Sequence, residues 1–300
     1  MTPQSSATDR RTALQPLARP NGGFAMVALD QRESLRTMLA EQAPDETVPD
    51  RALTAFKVDA ARALSPHASA ILVDVPYGLG PILEAGALAE GCGLIVAADR
   101  LDQPPGGIVE GTAVDESVFR DDRIASAAHA YKLLVIWRGG RGRRERETTI
   151  RTFLDACRSR GRPGIVEAIV RPDPGERLAP SEHATLVLEA AREIGPLEPA
   201  LYKAEVPTLG LADDGAIETA AAAMTGTLAC PWVVLSNGVR PARFDDAAVA
   251  ACRGGATGFL AGRAIWIESI AADDPRAHLE RVAAPRLAEL ASRVETVVRS

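Results

Sequence analysis

The sequence has few aromatic residues, few cysteines and no excess of positive charge. Its four cysteines lie far apart and form no C-x-x-C pair, so we expect free thiols in a reducing compartment and a cytoplasmic protein. No apolar run approaches the roughly 18 residues that cross a bilayer, so we expect no membrane association. The net charge of −6 argues against a nucleic acid partner, because it provides no strong positive field for phosphates.

Lysine is the scarcest basic residue. Of the 34 lysines and arginines only three are lysines, namely Lys57, Lys132 and Lys203. On a solvated surface the two residue types serve almost equally well, whereas only lysine can lose its proton when buried and become a nucleophile. The alternative is compositional bias with accidental survivors. Lys132 and Lys203 lie in apolar, strand-like runs, which favours a need for an amine there; for Lys57 the two interpretations are balanced.

Short apolar segments alternate with helical ones along most of the 300 residues. The eight predicted strands are 24–29, 70–73, 94–97, 131–136, 165–170, 200–204, 232–235 and 258–260. Eight strand–helix units indicate an α/β protein with the (β/α)8 TIM-barrel fold. A nucleotide-binding sheet is disfavoured because no G-x-G-x-x-G follows the first strand. We predict a flexible tail over residues 1–20 and a single barrel domain over residues 21–300.

Catalytic groups of a TIM barrel gather at the carboxyl ends of its strands. Because side chains alternate along a strand, Lys132, Glu167 and Lys203 of the fourth, fifth and sixth predicted strands can converge inside the barrel. A buried lysine beside a second cation has a lowered pKa, which frees its amine to attack a carbonyl. A glutamate within reach can move the protons of imine formation. The alternative is a buried lysine–glutamate pair with a structural role only.

Two loops stand where barrels commonly bind phosphate, after the seventh and eighth predicted strands. They contain Ser236-Asn237-Gly238 and Gly262-Arg263. Backbone N–H groups, a helix N-terminus and an arginine would supply the donors there. Two ordinary tight turns are the alternative.

Metal chemistry is disfavoured by the positions of the four histidines. None follows a predicted strand, where a barrel would hold a metal, so we expect surface or capping roles for them, no metal and no cofactor. They are His67, His129, His183 and His278. The basic run 138–146 has no aromatic interleaving and is expected to form a solvated loop.

Several segments resemble the class I sulfofructosephosphate aldolases, close relatives of the class I tagatose-1,6-bisphosphate aldolases. The resemblance extends from about residue 22 to beyond residue 266. It is carried by GGFAM (22–26), LDQRE (29–33), FKV (56–58), ALSP (63–66), ASAILVD (68–74), IVAAD (95–99), KLLV (132–135), LYKAE (201–205), PWVVLS (231–236) and GFLAGR (258–263).

This resemblance implies a metal-independent Schiff-base aldolase on a TIM barrel. Lys203 would form the imine, and Lys132 and Glu167 would be the assisting cation and the proton-transfer carboxylate. Asp30 is expected as a further catalytic residue of the substrate site. The expected substrate-binding residues are Gln31, Arg32, Ser236, Asn237, Gly238, Leu260, Gly262 and Arg263.

The expected reaction is reversible cleavage of 6-deoxy-6-sulfofructose 1-phosphate to dihydroxyacetone phosphate and sulfolactaldehyde. We expect the phosphate at Arg263 and the 236–238 loop, and the second anion at Arg32 or Gln31. The alternatives are a tagatose or fructose 1,6-bisphosphate aldolase, which would release glyceraldehyde 3-phosphate, and an inactive barrel that binds a sugar phosphate. Asn237 departs from the family pattern, where a smaller residue is typical, and so does segment 75–78. A homo-oligomer, either a dimer or a tetramer, is also expected.

Overall fold

A computed structural model of the chain describes residues 7–42, 47–104, 107–172 and 178–298. Within these ranges the strands are β1 (Phe24–Leu29), β2 (Ala70–Val73), β3 (Gly93–Ala97), β4 (Asp99–Asp102), β5 (Gly111–Val114), β6 (Ala130–Trp137), β7 (Gly164–Val170), β8 (Leu201–Glu205), β9 (Trp232–Leu235) and β10 (Gly258–Ala261). Eight of them close into a parallel barrel in the order β1-β10-β9-β8-β7-β6-β3-β2, which confirms the predicted TIM-barrel fold. The other two, β4 and β5, pair as an antiparallel hairpin.

In the described ranges the first helix precedes β1, and the other helices follow barrel strands along the chain and cover the outside of the barrel. They are α1 (Ala7–Leu14), α2 (Glu33–Ala40), α3 (Asp50–Leu64), α4 (Gly80–Glu84), α5 (Glu116–Arg120), α6 (Asp122–Ala127), α7 (Arg143–Ser159), α8 (Pro180–Ile194), α9 (Asp214–Thr225), α10 (Pro241–Arg253), α11 (Arg263–Ile270), α12 (Pro275–His278) and α13 (Ala284–Val297). No helix in these described ranges is long and apolar enough to span a bilayer.

Each predicted strand agrees with a barrel strand to within one residue at both ends. The agreement has a physical reason, because strands buried on both faces form nearly continuous apolar runs. The β4–β5 hairpin was not predicted, since β4 is polar and partly exposed. The basic run 138–146 is only partly the loop that we expected. Its last residues begin α7, and Arg146 is buried with Nη2 2.5 Å from Glu193 Oε1.

The segment before β1 packs beneath the barrel, in contrast to the flexible tail expected there. α1 continues into a 3-10 turn, Gln15–Leu17, and both Leu14 and Leu17 are buried in the same apolar cluster as Phe24. A Cβ on Gly93 would lie 2.5 Å from the carbonyl oxygen of Pro16, so the turn presses against the start of β3. Two leucines in a polar stretch give too little periodicity to predict this packing. Residues 1–6 lie outside the described ranges.

Leu17 should therefore contribute to global stability. Leu17→Ala leaves a cavity at the closed end of the barrel and should lower the free energy of unfolding by about 2–5 kcal/mol in urea titrations. The matched control is Leu211→Ala, because Leu211 is 59% exposed. That variant should stay within about 0.5 kcal/mol of the parent. A Leu17 variant as stable as the control would show that the segment is not part of the folded core.

Candidate active site

A cavity of about 630 Å³ opens at the carboxyl ends of the barrel strands. Its lining contains eleven of the twelve residues expected to be catalytic or substrate-binding, and Gly238 is the one that does not line it. Because these residues come from six barrel strands or the loops after them, only closure of the barrel brings them together.

Lys203 and Glu167 face each other at the centre of the cavity floor. They are direct partners in the β7–β8 ladder. The two side chains are almost completely buried, and Lys203 Nζ lies 2.9 Å from Glu167 Oε2. The neighbouring Tyr202 and Ala204 pack in the outer core, as strand alternation predicts. The geometry therefore places an amine beside a group that can exchange protons with it.

Lys132 is surrounded by three carboxylates. Its Nζ lies 2.6 Å from Asp30 Oδ2, 2.8 Å from Asp99 Oδ2 and 3.3 Å from Glu167 Oε2. Burial alone would lower the pKa of Lys132, but the three negative charges outweigh it and raise the pKa above its usual value. The three contacts therefore favour the ammonium form of Lys132. Burial also favours a higher pKa for Asp30, yet Lys132 and Lys203 hold the pKa of Asp30 below its usual range.

Asp99 binds both Lys132 and Arg32, although it was not among the expected site residues. Asp99 Oδ2 accepts a hydrogen bond from Lys132. Asp99 Oδ1 and its carbonyl oxygen accept hydrogen bonds of 2.9 Å from the two Nη atoms of Arg32. The position of Asp99, two residues after the third predicted strand, is the signal that could have identified it. Beside this pair lies Gln31, whose Oε1 is buried without a hydrogen-bond partner among the described residues.

Asn237 links the predicted phosphate loops to β8. Arg263 Nη2 lies 2.5 Å from Asn237 Oδ1, and Asn237 Nδ2 donates a 2.7 Å hydrogen bond to Glu205 Oε1. Glu205 Oε2 accepts a 2.7 Å hydrogen bond from the backbone N–H of Val170. The departure from a smaller residue at position 237 therefore has a structural consequence, since the longer amide fixes the direction of Arg263.

Two glycines of these loops are required by close packing. Gly238 has a φ of +77°, and a Cβ there would lie 2.8 Å from Leu209 Cδ2. A Cβ on Gly262 would lie 2.7 Å from Gln31 Nε2. The missing side chain of Gly262 thus makes room for the amide of Gln31.

The expectation of a surface or capping role is wrong for His183. Although it belongs to α8, its side chain is only 3% exposed, with Nε2 3.5 Å from Glu205 Oε2. The first turn of α8 lies against the carboxyl end of β8, and helical periodicity alone does not show which strand a residue faces.

The third lysine is also buried. Lys57 on α3 donates a hydrogen bond to Asp74 at the end of β2, and both side chains are almost completely excluded from solvent. Burial lowers the pKa of Lys57 and raises the pKa of Asp74, although each opposes the shift of the other. All three lysines thus lie in the interior beside carboxylates. Their burial favours the interpretation that lysine is kept where an amine is needed, and argues against mere compositional bias.

The chain resembles known aldolases in sequence and in fold. Residues 24–268 match the family described as DeoC/LacD family aldolase. The chain is 25% identical to tagatose 1,6-diphosphate aldolase 1 of Streptococcus mutans over 285 residues, covering 87% of this chain and 86% of the relative. Its fold resembles that of a Plasmodium falciparum fructose-bisphosphate aldolase, with a TM-score of 0.72, 13% identity and coverage of 99% and 97%. An archaeal fructose-1,6-bisphosphate aldolase, whose catalytic lysine carries the carbinolamine intermediate, gives a TM-score of 0.60 and 15% identity, with coverage of 95% and 99%.

The family match covers more than half of the chain, so the chain belongs to the DeoC/LacD family of aldolases. It is an aldehyde-lyase enzyme, as expected, and its substrates are to be sought among sugar phosphates.

The Lys57–Asp74 pair generates a stability prediction. Lys57→Met leaves a buried carboxylate without its partner and should cost about 3–5 kcal/mol in chemical denaturation. The double variant Lys57→Met/Asp74→Asn removes the charge and should recover much of this loss. As a control, Arg158→Met breaks an exposed pair with Asp155 and should cost at most about 1 kcal/mol. A double variant that is no more stable than Lys57→Met would contradict an electrostatic origin.

Proposed function

We propose that the protein is a class I ketose-phosphate aldolase in which Lys203 forms a Schiff base with the substrate ketone. The observation that carries this proposal is the arrangement at Glu167 Oε2, which lies 2.9 Å from the Lys203 amine and 3.3 Å from Lys132. A nucleophilic amine needs a nearby base, and that base must itself be held in place.

The first half of the reaction uses Lys203 and Glu167. Glu167 accepts a proton from Lys203, and the free amine attacks the substrate carbonyl carbon C2 to form a carbinolamine. Glu167 then returns a proton to the departing hydroxyl group, so that water leaves and the imine forms. Lys132 remains protonated between its three carboxylates throughout, which keeps Glu167 within reach of the reacting nitrogen.

The second half breaks the bond between C3 and C4. The positively charged imine withdraws electrons from this bond, and the aldehyde leaves as the C4 hydroxyl group passes its proton to Glu167, which became a carboxylate again when the imine formed. Glu167 then holds the proton that the enamine carbon C3 takes up. Protonation of the remaining enamine and hydrolysis of the imine release dihydroxyacetone phosphate and restore Lys203. Asp30 stays ionised because Lys132 and Lys203 stabilise its negative charge, so it accepts hydrogen bonds from the substrate hydroxyl groups.

The phosphate of the dihydroxyacetone phosphate half is assigned to the loops after β9 and β10. Ser236, Asn237 and Gly238 form the first loop, and Gly262 and Arg263 the second. The N-terminus of α11 begins at Arg263 and adds its positive end to this region. Leu260 of β10 lines the same cavity and adds an apolar surface to it.

We assign a sulfonate to the other end of the substrate, at Gln31 and Arg32. Both Nη atoms of Arg32 already bind Asp99, so much of its positive charge is balanced before substrate arrives. Gln31 adds a neutral amide only. A sulfonate carries one negative charge, whereas a phosphate ester carries up to two and needs more compensation. This charge balance supports 6-deoxy-6-sulfofructose 1-phosphate as the substrate and sulfolactaldehyde as the second product.

A second candidate is cleavage of tagatose or fructose 1,6-bisphosphate. It is supported by the likeness to the Streptococcus mutans tagatose 1,6-diphosphate aldolase, which covers 87% of this chain.

Trapping the imine tests the catalytic assignment. Borohydride with dihydroxyacetone phosphate should label Lys203 in the parent protein and nothing in Lys203→Arg, because a guanidinium group forms no imine at neutral pH. Cleavage activity of Lys203→Arg should fall at least about 10³-fold. Peptide mass spectrometry and steady-state kinetics provide the two readouts.

Arg151→Lys is the matched control for accidental labelling. It adds a fourth lysine to the chain, and this one lies on the surface, because the Arg151 side chain is 59% exposed. This lysine should stay unlabelled while Lys203 is labelled as before. Substantial turnover by Lys203→Arg would refute the assignment of Lys203 as the imine-forming residue. A parent protein with neither label nor cleavage activity would instead be a barrel that only binds sugar phosphates.

Substrate comparison tests the sulfonate assignment. The parent protein should cleave 6-deoxy-6-sulfofructose 1-phosphate with a higher kcat/KM than either bisphosphate. Arg32→Ala should lower that kcat/KM, because it removes about 1.5–3 kcal/mol of transition-state binding, the usual range for a charged hydrogen bond. Imine trapping with dihydroxyacetone phosphate, which lacks the second anion, should not change. A preference for a bisphosphate would select the second candidate instead.

A further inference from the structure

Arg171 is a cavity residue that none of the assignments above uses. It directly follows β7, and its side chain lines the same cavity as Lys203 and Arg263. Its Nε is buried without a hydrogen-bond partner among the described residues. The hydrogen bond that its guanidinium makes within those residues is a long one, 3.4 Å from Nη1 to the carbonyl oxygen of Val170.

Other arginines of the cavity already have carboxylate partners. Arg32 lies 2.9 Å from Asp99 Oδ1, and Arg138 lies 2.9 Å from Glu110 Oε2. No described carboxylate lies within 4 Å of the guanidinium of Arg171 or of Arg263, which contacts only the neutral amide of Asn237. These two arginines therefore bring positive charge to the cavity that no contacting carboxylate balances.

Arg171 and Arg263 also affect each other. Burial lowers the pKa of Arg263 and the positive charge of Arg171 lowers it further, whereas the negative charges of Glu167 and Glu205 oppose this shift. A chain of hydrogen bonds runs from the backbone N–H of Val170, the residue before Arg171, through Glu205 and Asn237 to the Arg263 guanidinium, which connects the end of β7 with the loops after β9 and β10. Repulsion of this kind is relieved when an anion binds between the two cations.

We propose that Arg171 binds substrate together with Arg263, so that two guanidinium groups hold the phosphate of the dihydroxyacetone phosphate half. This proposal rests on the proposed aldolase function and adds a residue to its phosphate site. A guanidinium group suits this task because its N–H donors match the geometry of phosphate oxygens. The phosphate is a dianion and matches the two positive charges.

The position of Arg171 in the barrel assigns it to this end of the substrate. β7 is separated from β1, which precedes Gln31 and Arg32, by β8, β9 and β10. Arg263 is directed toward Asn237 after β9, which is the side of the barrel on which β7 lies. The two ends of the cavity thus differ in charge: one has an arginine already bonded to Asp99, and the other has two arginines without a carboxylate contact.

The test measures phosphate binding separately from catalysis. Isothermal titration calorimetry with inorganic phosphate should show Arg171→Gln binding about 10- to 100-fold more weakly than the parent. The control is Arg151→Gln, which alters an exposed arginine paired with Glu147 outside the cavity, and should change the affinity less than about threefold. In the condensation direction Arg171→Gln should raise the KM for dihydroxyacetone phosphate and leave the KM for the aldehyde unchanged.

Arg171→Lys keeps one charge but loses the paired donors, so it should lie between the parent and Arg171→Gln. This variant also provides the test if Arg171→Gln does not fold. Unchanged phosphate affinity in both variants, or a raised KM for the aldehyde alone, would overturn the proposal. Failure of the aldolase function is recognised separately, because the parent protein would then form no borohydride-trapped imine while phosphate titration could still be measured.

Discussion

The contact of Lys132 with Asp30, Asp99 and Glu167 is the interaction on which the site depends. Ionised groups in a barrel interior are costly unless they are paired, and each of these carboxylates comes from a different part of the barrel. Asp30 follows β1, Asp99 begins β4 directly after β3, and Glu167 lies in β7. One ammonium group on β6 therefore holds three segments in fixed relation, and through Glu167 it also fixes the surroundings of Lys203 on β8.

Charge counting shows how far this pairing extends. Lys132, Lys203 and Arg32 supply three positive charges, and the three carboxylates supply three negative ones, so the central cluster is neutral. The cavity acquires its polarity outside this cluster. At one end of the cavity the Arg32 guanidinium is already paired with Asp99, whereas Arg171 and Arg263 contact no carboxylate within the described chain. A substrate with two unlike anions would have a preferred orientation in such a cavity.

Much of the fold could be predicted from the sequence, and the reasons are visible at particular residues. Buried strands such as 70–73 form apolar runs that need no partner information to be recognised. The alternation around Lys203 indicated which side chains face inward, and the scarcity of lysine indicated three positions that are buried in the structure.

Contacts between distant segments could not be predicted in this way. Nothing near Leu17 in the chain indicates that it closes the barrel, and His183 has no local sign that it meets Glu205. Arg171 has no distinguishing feature in the sequence, and it stands out only because Arg32 and Arg138 are paired with carboxylates in the structure and Arg171 is not.

The neutral cluster also bears on how the lysine can react at all. In the proposed mechanism, attack by Lys203 requires its amine without a proton, and exporting that proton would leave a buried cluster with one uncompensated negative charge. Transfer to Glu167, 2.9 Å away, keeps the net charge of the cluster constant, because a neutral amine and a neutral acid replace an ammonium and a carboxylate. Lys132 then retains the carboxylates of Asp30 and Asp99 as partners and has no need to move. With Glu167 as its only partner, Lys132 would become an unpaired buried ammonium group on the same transfer, and Asp30 and Asp99 prevent this.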